Sequence, residues 1–265
     1  VRWWSNRQEA LALAPGAEIG WFDMYDKEGM SAAVTGATDM RWLSSMIAGM
    51  EHLPLDTLHK RRVTVTNGAG INAVTIAEYV VMGMLTIAKG YREVVRAQDR
   101  HDWLKDAPGK IELAGSCALV LGYGTIGKLV QRRLQAFEVD VTVVRRQATG
   151  AANVLGPRQW RARLGDFDWV ILAVPATDET RHMIGADELA AMKRSAVLLN
   201  VARGSVVDQD ALVHALQARS IGAAFLDVME PEPLSADHVL WTLDNAHITM
   251  HLSGRSQDRM VERAA

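Results

Sequence analysis

Ala118-Leu119-Val120-Leu121-Gly122-Tyr123-Gly124-Thr125-Ile126-Gly127 decides the fold. An apolar, strand-like run feeds a glycine-rich turn. Residues 128–137 then read as a helix and 139–144 as a second, valine-rich strand. Gly122-x-Gly124-x-x-Gly127 alone is a weak signal. Its position between strand and helix, within a unit of about thirty residues, makes it a dinucleotide-binding turn. The first glycine allows the tight turn, the second lets the backbone approach a pyrophosphate, and the third lets helix and strand pack closely. The helix N-terminus adds free N–H groups and the positive end of its dipole. Gly122, Tyr123, Gly124, Thr125, Ile126 and Gly127 are therefore expected to bind a dinucleotide.

The end of the second strand selects which one. An NAD site usually carries Asp or Glu there, accepting from the ribose 2′-hydroxyl. This chain reads Val143-Val144-Arg145-Arg146-Gln147, with no carboxylate. Two guanidiniums suit a 2′-phosphate through charge-assisted hydrogen bonds. The expectation is NADP(H) preferred, with NAD(H) as the alternative if Arg145 and Arg146 are only solvated surface charge.

Further strands are expected at 169–174, 196–200 and 222–227, with helices at 186–192 and 208–218 between them. Strands alternating with helices imply a parallel sheet with right-handed crossovers. Upstream, 7–13 reads as helix, and 17–22, 40–45 and 63–66 as strands, the last ending at the turn signal Asn67-Gly68. From 75 to about 100, apolar residues recur at spacings of three and four, which predicts one long helix.

Composition bounds the function. At 265 residues, 49% hydrophobic and 23% charged, the chain matches an ordinary globular enzyme. A formal net charge of −2 argues against nucleic acid and acidic membrane as partners. No apolar run approaches the ~20 residues of a membrane helix, and no signal-peptide pattern opens the chain. Val1 rather than Met stands first, so residues upstream are expected. The single cysteine, Cys117, excludes an internal disulfide and fits a reducing, cytoplasmic setting. It begins a buried strand and reads as core. The eight tryptophans form no repeat and read as core and interface filling. No metal-ligand motif is present, and no metal is expected.

Arg203, Asp227, Glu232 and His251 each follow an apolar run, at the carboxyl ends of expected strands, where open α/β sheets bind ligands. A guanidinium, carboxylates and an imidazole together make a carboxylate clamp and a tuned proton donor. Those are the parts needed to reduce a 2-oxo acid. His247 reads as non-catalytic, standing before a strand at 248–249 on the far side from the site.

With these residues, the chain resembles the D-2-hydroxyacid dehydrogenase family, nearest in kind to its glyoxylate/hydroxypyruvate reductase branch. The likeness runs from about Trp42 to Gly254. It includes Ser45-Met46-Ile47-Ala48-Gly49-Met50-Glu51, Ile76-Ala77-Glu78, the glycine-rich turn, Val174-Pro175-Ala176-Thr177-x-x-Thr180, Asn200-Val201-Ala202-Arg203-Gly204, Glu230-Pro231-Glu232-Pro233, and His251 with Ser253-Gly254. The resemblance implies two Rossmann-like α/β domains with doubly wound parallel sheets and an active site in the interdomain cleft. The substrate domain would be 1–79, completed by residues after about 251, and the dinucleotide domain 80–250.

It further implies that Arg203 binds the substrate carboxylate and polarises the 2-oxo group, that His251 is the general acid, and that Glu232 holds His251 in its protonated form. Ala48 and Gly49 would bind the carboxylate through backbone N–H groups. Val174, Pro175, Thr180, Val201, Ala202, Arg203, Asp227, His251, Ser253 and Gly254 would line the cofactor, with Asp227 near the nicotinamide. The expected partners are a small 2-oxo or 2-hydroxy acid and a second copy of the chain, making a homodimer through the cofactor domain. An arm at about 92–114 would wrap the partner. Three departures from the family stand out. Met250 replaces the usual Pro before the histidine, which is expected to loosen its loop. Glu51 stands where Asp is common. Family members continue past the equivalent of Ala265 through a helix and tail.

The leading function is NADPH-dependent reduction of a small 2-oxo acid such as glyoxylate or hydroxypyruvate. The alternatives are NAD-dependent oxidation of a larger D-2-hydroxy acid, with or without a phosphate, and a dinucleotide-sensing scaffold similar to the C-terminal-binding-protein corepressors. A methyltransferase would leave Arg203, Glu232 and His251 without roles.

Overall fold

The computed structural model describes residues 1–24, 26–147 and 150–255. The chain forms two compact units, which divide between Asn72 and Ala73. That division falls before the 79/80 boundary expected from sequence, because the helix that opens the second unit already begins at Ala73. Residues 256–265, part of the tail expected to complete the substrate domain, lie outside the described residues.

The first unit contains α1 (Arg7–Leu13), β1 (Ile19–Gly20), α2 (Lys27–Gly36), β2 (Trp42–Ser44), α3 (Leu55–Lys60) and β3 (Thr64–Thr66). Asn6 and Asp26 cap α1 and α2 by accepting from Glu9 N–H and Gly29 N–H. The strands are parallel in the order β1-β2-β3. Leu43 turns into a core with Ala10, Ala14, Met30, Ala33, Val34 and Leu58. The opposite face of the sheet is open: Ile19, Trp42 and Thr64 stand side by side in register and all are exposed.

The second unit opens with α4 (Ala73–Ala88) and α5 (Tyr91–Asp99). The single long helix expected here is broken, and the two pieces meet at 70°. Gly90 sits at the break with φ +60, and a Cβ there would come within 2.8 Å of the Gly109 backbone. The returning chain packs on the glycine and overrides a hydrophobic periodicity that continues past it.

Next come β4 (Cys117–Leu121), α6 (Thr125–Gln135), β5 (Asp140–Val144), β6 (Val154–Leu155), β7 (Trp169–Leu172), α7 (Ala186–Ala191), β8 (Val197–Asn200), α8 (Gln209–Gln217), β9 (Ala223–Leu226) and β10 (Ala246–Ile248). They build a seven-stranded sheet in the order β6-β5-β4-β7-β8-β9-β10, and every pair is parallel. Alternate residues feed two cores, one on each face. Leu119, Leu121, Val170, Leu172 and Leu198 face one side. Ala118, Val120, Ile171, Leu199 and Phe225 face the other. Burial on both faces explains why these strands read as unbroken apolar runs. The chain winds outward from β4 to β6 and then returns to β7 on the other side of β4. That reversal makes the carboxyl ends of β4 and β7 a topological switch point, the usual ligand position in such sheets.

His247 lies inside β10 rather than before a strand. Of the tryptophans, Trp160 and Trp169 fill the core as expected, whereas Trp3 and Trp103 are 80% and 92% exposed. Among the described residues no single helix is long and apolar enough to cross a membrane, and no cluster of His, Cys, Asp or Glu could hold a metal.

Candidate active site

The expected cofactor and catalytic residues of the second unit all follow strands of one parallel sheet, so they share one edge. Arg145 and Arg146 follow β5 and the glycine-rich turn follows β4. Val174 and Pro175 follow β7, Arg203 follows β8, Asp227 follows β9 and His251 follows β10. At a strand spacing of about 4.8 Å they spread over roughly 24 Å. A dinucleotide laid across such an edge would have its adenosine end at β5 and its reactive end at β8 to β10.

The three glycines of the turn have three different reasons. Gly122 has φ +102, and a Cβ there would lie 2.4 Å from Ala173 O. A Cβ on Gly127 would lie 2.0 Å from Gly122 O. Both are required by the protein's own packing. A Cβ on Gly124 would meet nothing within 4 Å. No protein atom demands a glycine there, and the open space at the N-terminus of α6 fits the close approach of a pyrophosphate. Tyr123 turns back over the helix and donates to Gln131 Oε1 at 2.6 Å.

Arg145 and Arg146 are exposed, and among the described residues neither forms an ion pair. Beyond β7, the Thr180 hydroxyl accepts from Thr177 N–H (2.8 Å) and donates to Pro175 O (2.7 Å). Thr180 therefore shapes the turn that carries Val174 and Pro175.

Arg203 is held on a tight corner. Buried Asn200, at the end of β8, accepts from Ala202 N–H (3.0 Å), and its amide donates to Arg203 O (2.9 Å). Val201 and Ala202 are buried. A Cβ on Gly204 would fall 2.0 Å from Met229 O, so only glycine lets this corner press against the segment at 229–232. The Arg203 guanidinium donates to Ala202 O at 2.7 Å.

Asp227 and Glu232 divide the work of holding His251. Asp227 is fully buried. Its carboxylate accepts from Thr249 Oγ (2.7 Å), Leu252 N–H (2.9 Å), Ser253 N–H (3.1 Å) and the Ser253 hydroxyl. Its carbonyl accepts from His251 N–H at 2.5 Å. Ser253 is thus tied to Asp227, with Gly254 beside it. Glu232 Oε1 accepts from Met229 N–H (3.1 Å), and Glu232 Oε2 lies 2.7 Å from His251 Nδ1. A carboxylate only accepts, so Nδ1 carries the hydrogen and Nε2 faces outward. Glu230, the competing carboxylate, pairs instead with Arg181 at 3.3 Å.

The loop expected to be loosened by Met250 is closely tied. Met250 and His251 have φ of +53 and +56, left-handed values that a proline cannot adopt. The hydrogen bonds to Asp227 hold the loop there. Thr249 was missed by sequence reasoning, and Asn200 was read only as the first residue of the Asn200-Val201-Ala202-Arg203-Gly204 motif, without its role in shaping the corner. Ala48 and Gly49 lie in the first unit, on the loop after β2.

A model of the D-isomer-specific 2-hydroxyacid dehydrogenase NAD-binding domain matches residues 81–253. The chain belongs to this family. It is a nicotinamide-dinucleotide-dependent oxidoreductase, and the family's substrates are small 2-hydroxy and 2-oxo acids. It is 32% identical over 221 residues to an (S)-sulfolactate dehydrogenase of Chromohalobacter salexigens, covering 82% of this chain and 71% of the relative. It is 31% identical to a glyoxylate/hydroxypyruvate reductase B of Yersinia pestis, over 98% of this chain and 81% of the relative. An NADPH-dependent glyoxylate/hydroxypyruvate reductase from Sinorhizobium meliloti, solved with NADP and malonate, superposes with a TM-score of 0.78 at 25% identity. That match covers 88% of this chain and 73% of the other. The dehydrogenase fold and the two-unit α/β organisation agree with the expectation from sequence.

Proposed function

We propose that this dehydrogenase uses NADPH to reduce a small 2-oxo acid of the glyoxylate or hydroxypyruvate kind to the D-2-hydroxy acid. The observation that carries the proposal is the 2.7 Å pair between His251 Nδ1 and Glu232 Oε2, on the sheet edge that also bears Arg203. A reduced nicotinamide supplies the hydride when bound. The remaining tasks fall to the protein. Arg203 binds the substrate carboxylate with its planar fork. His251 Nε2 gives its proton to the carbonyl oxygen as C2 is reduced, and takes it back in the oxidative direction. Glu232 holds Nδ1–H and so fixes the ring's orientation, leaving Nε2 for the substrate.

Two exposed guanidiniums at the end of β5, with no carboxylate beside them, support NADPH over NADH. The relative from Sinorhizobium meliloti, described as NADPH-dependent, agrees. The chain is further proposed to act as a homodimer, with the arm after α5 as part of the contact. Trp103 is 92% exposed, and Tyr91, Val94, Val95 and Ile111 also present apolar surface there.

The test is optical: oxidation of NADPH and of NADH with glyoxylate, hydroxypyruvate, pyruvate and a bulky 2-oxo acid. A strong NADPH preference that falls ten- to a hundredfold in the Arg145→Ala/Arg146→Ala variant, with NADH rates unchanged, is the expected result. Equal rates with both cofactors would remove the arginine assignment and leave the reductase. Cofactor binding without turnover of any acid would favour the sensing scaffold.

A further inference from the structure

In the first unit, the loop 45–49 is fixed from behind by two side chains that the resemblance to the family did not single out. Ser45, 5% exposed, donates its hydroxyl to Asp23 Oδ1 at 2.6 Å. Met46 N–H donates to Asp23 Oδ2 at 2.6 Å, and Trp21 Nε1–H donates to the same oxygen at 2.8 Å. Ser45 Oγ in turn accepts from Ile47 N–H at 3.0 Å. From the other side, Asn67 Nδ2 donates to Ala48 O (2.8 Å) and Gly68 N–H to Ile47 O (3.3 Å). A Cβ on Gly68 would lie 1.9 Å from Met46 O, so β3 can approach the loop this closely only through glycine.

The pattern is selective. The Met46 and Ile47 N–H groups have acceptors, and the Ile47 and Ala48 carbonyls have donors. Among the described residues no acceptor meets Ala48 N–H or Gly49 N–H. Two successive N–H groups without an acceptor, on a backbone tied from both sides, are donors available to an anion. We propose that Asp23 and Asn67 are positioning residues that aim the Ala48 and Gly49 N–H groups at the substrate carboxylate. The proposal rests on the reading of this chain as a 2-oxo acid reductase, and it extends that reading to residues touching neither substrate nor cofactor. Asp23 acts through geometry rather than charge: its oxygens take the donors that would otherwise let the loop turn. An amide of the same shape keeps most of this, since Asn can accept from Met46 N–H and donate to the Ser45 hydroxyl.

The test compares Asp23→Ala, Asp23→Asn and Asn67→Ala in the full chain. Asp23→Ala is expected to raise KM for glyoxylate and hydroxypyruvate about tenfold, the scale of one lost hydrogen bond to a functional group. kcat and the KM for NADPH stay within about threefold. Asn67→Ala moves the same way, and Asp23→Asn stays near the parent. Unchanged substrate KM in both alanine variants would overturn the proposal. So would a joint loss of kcat and melting temperature with a rise in both KM values, which would mark a merely structural role. Calorimetric binding of oxalate, an inert carboxylate, separates this from failure of the reductase reading. If the parent reduces no 2-oxo acid, a weaker oxalate affinity in Asp23→Ala still supports the aimed N–H groups. Absent or equal oxalate binding rejects them.

Discussion

Asp227 meets no cation among the described residues, yet it is fully buried and fully satisfied. Four donors from the segment 249–253 share its two oxygens. An asparagine there would set an amide NH2 against Leu252 or Ser253 N–H, leaving a buried donor unpaired at about 1–3 kcal/mol. We therefore expect Asp227→Asn to lower kcat at least tenfold. Thr249→Val, which removes one donor, should lower it less. Steady-state kinetics with a parallel thermal melt check this: kcat unchanged in Asp227→Asn would show that the anchor does not matter to the reaction. The residue scale is also where the sequence was most legible. Glu232 stood out from Glu230 by its place in the family's motif, and the two are sent to His251 and Arg181 respectively. Asp227 as a loop anchor was not legible, because its partners lie more than twenty residues away and only the neighbouring of β9 and β10 brings them together.

At the scale of elements, the contact of α5 with β10 carries a pH dependence. Arg92 Nη1 donates to Ala246 O (2.7 Å) and Leu243 O (3.4 Å). His247, within β10, has its pKa pushed down to about 4 by burial and by the charges of Arg92 and Arg96, against a smaller opposing effect of Asp244. The folded state thus holds this ring neutral while the unfolded chain protonates it near pH 6.5. Stability is unaffected above that pH and declines as pH falls from about 6.5 to about 4, by on the order of 1–3 kcal/mol. Replacing His247 by Gln should flatten the pH dependence of chemical denaturation across that window. An unaltered slope would contradict this account. The strands of the large sheet were readable because burial on both faces writes a continuous apolar run. The break between α4 and α5 was not, because its cause is Gly109, nineteen residues beyond Gly90 in the chain.

At the scale of the molecule, the two units were foreseen but their division point was not, since α4 belongs wholly to the second. The exposed side chains of α5 and the arm after it are expected to be covered by a second copy. Light scattering should give the mass of two chains, and Trp103→Glu should shift it towards one. A monomeric parent would refute the dimer. The left-handed pair Met250-His251 has a consequence for loop exchange as well. The proline that the family resemblance leads one to expect before this histidine cannot follow the turn that the backbone takes here. A proline at this position would have to swing φ at residue 250 from +53 to about −65 and pull His251 N–H off Asp227 O. Proline would therefore be the disruptive residue here, so exchanging this loop between family members should succeed only when 249–253 and its anchor travel together.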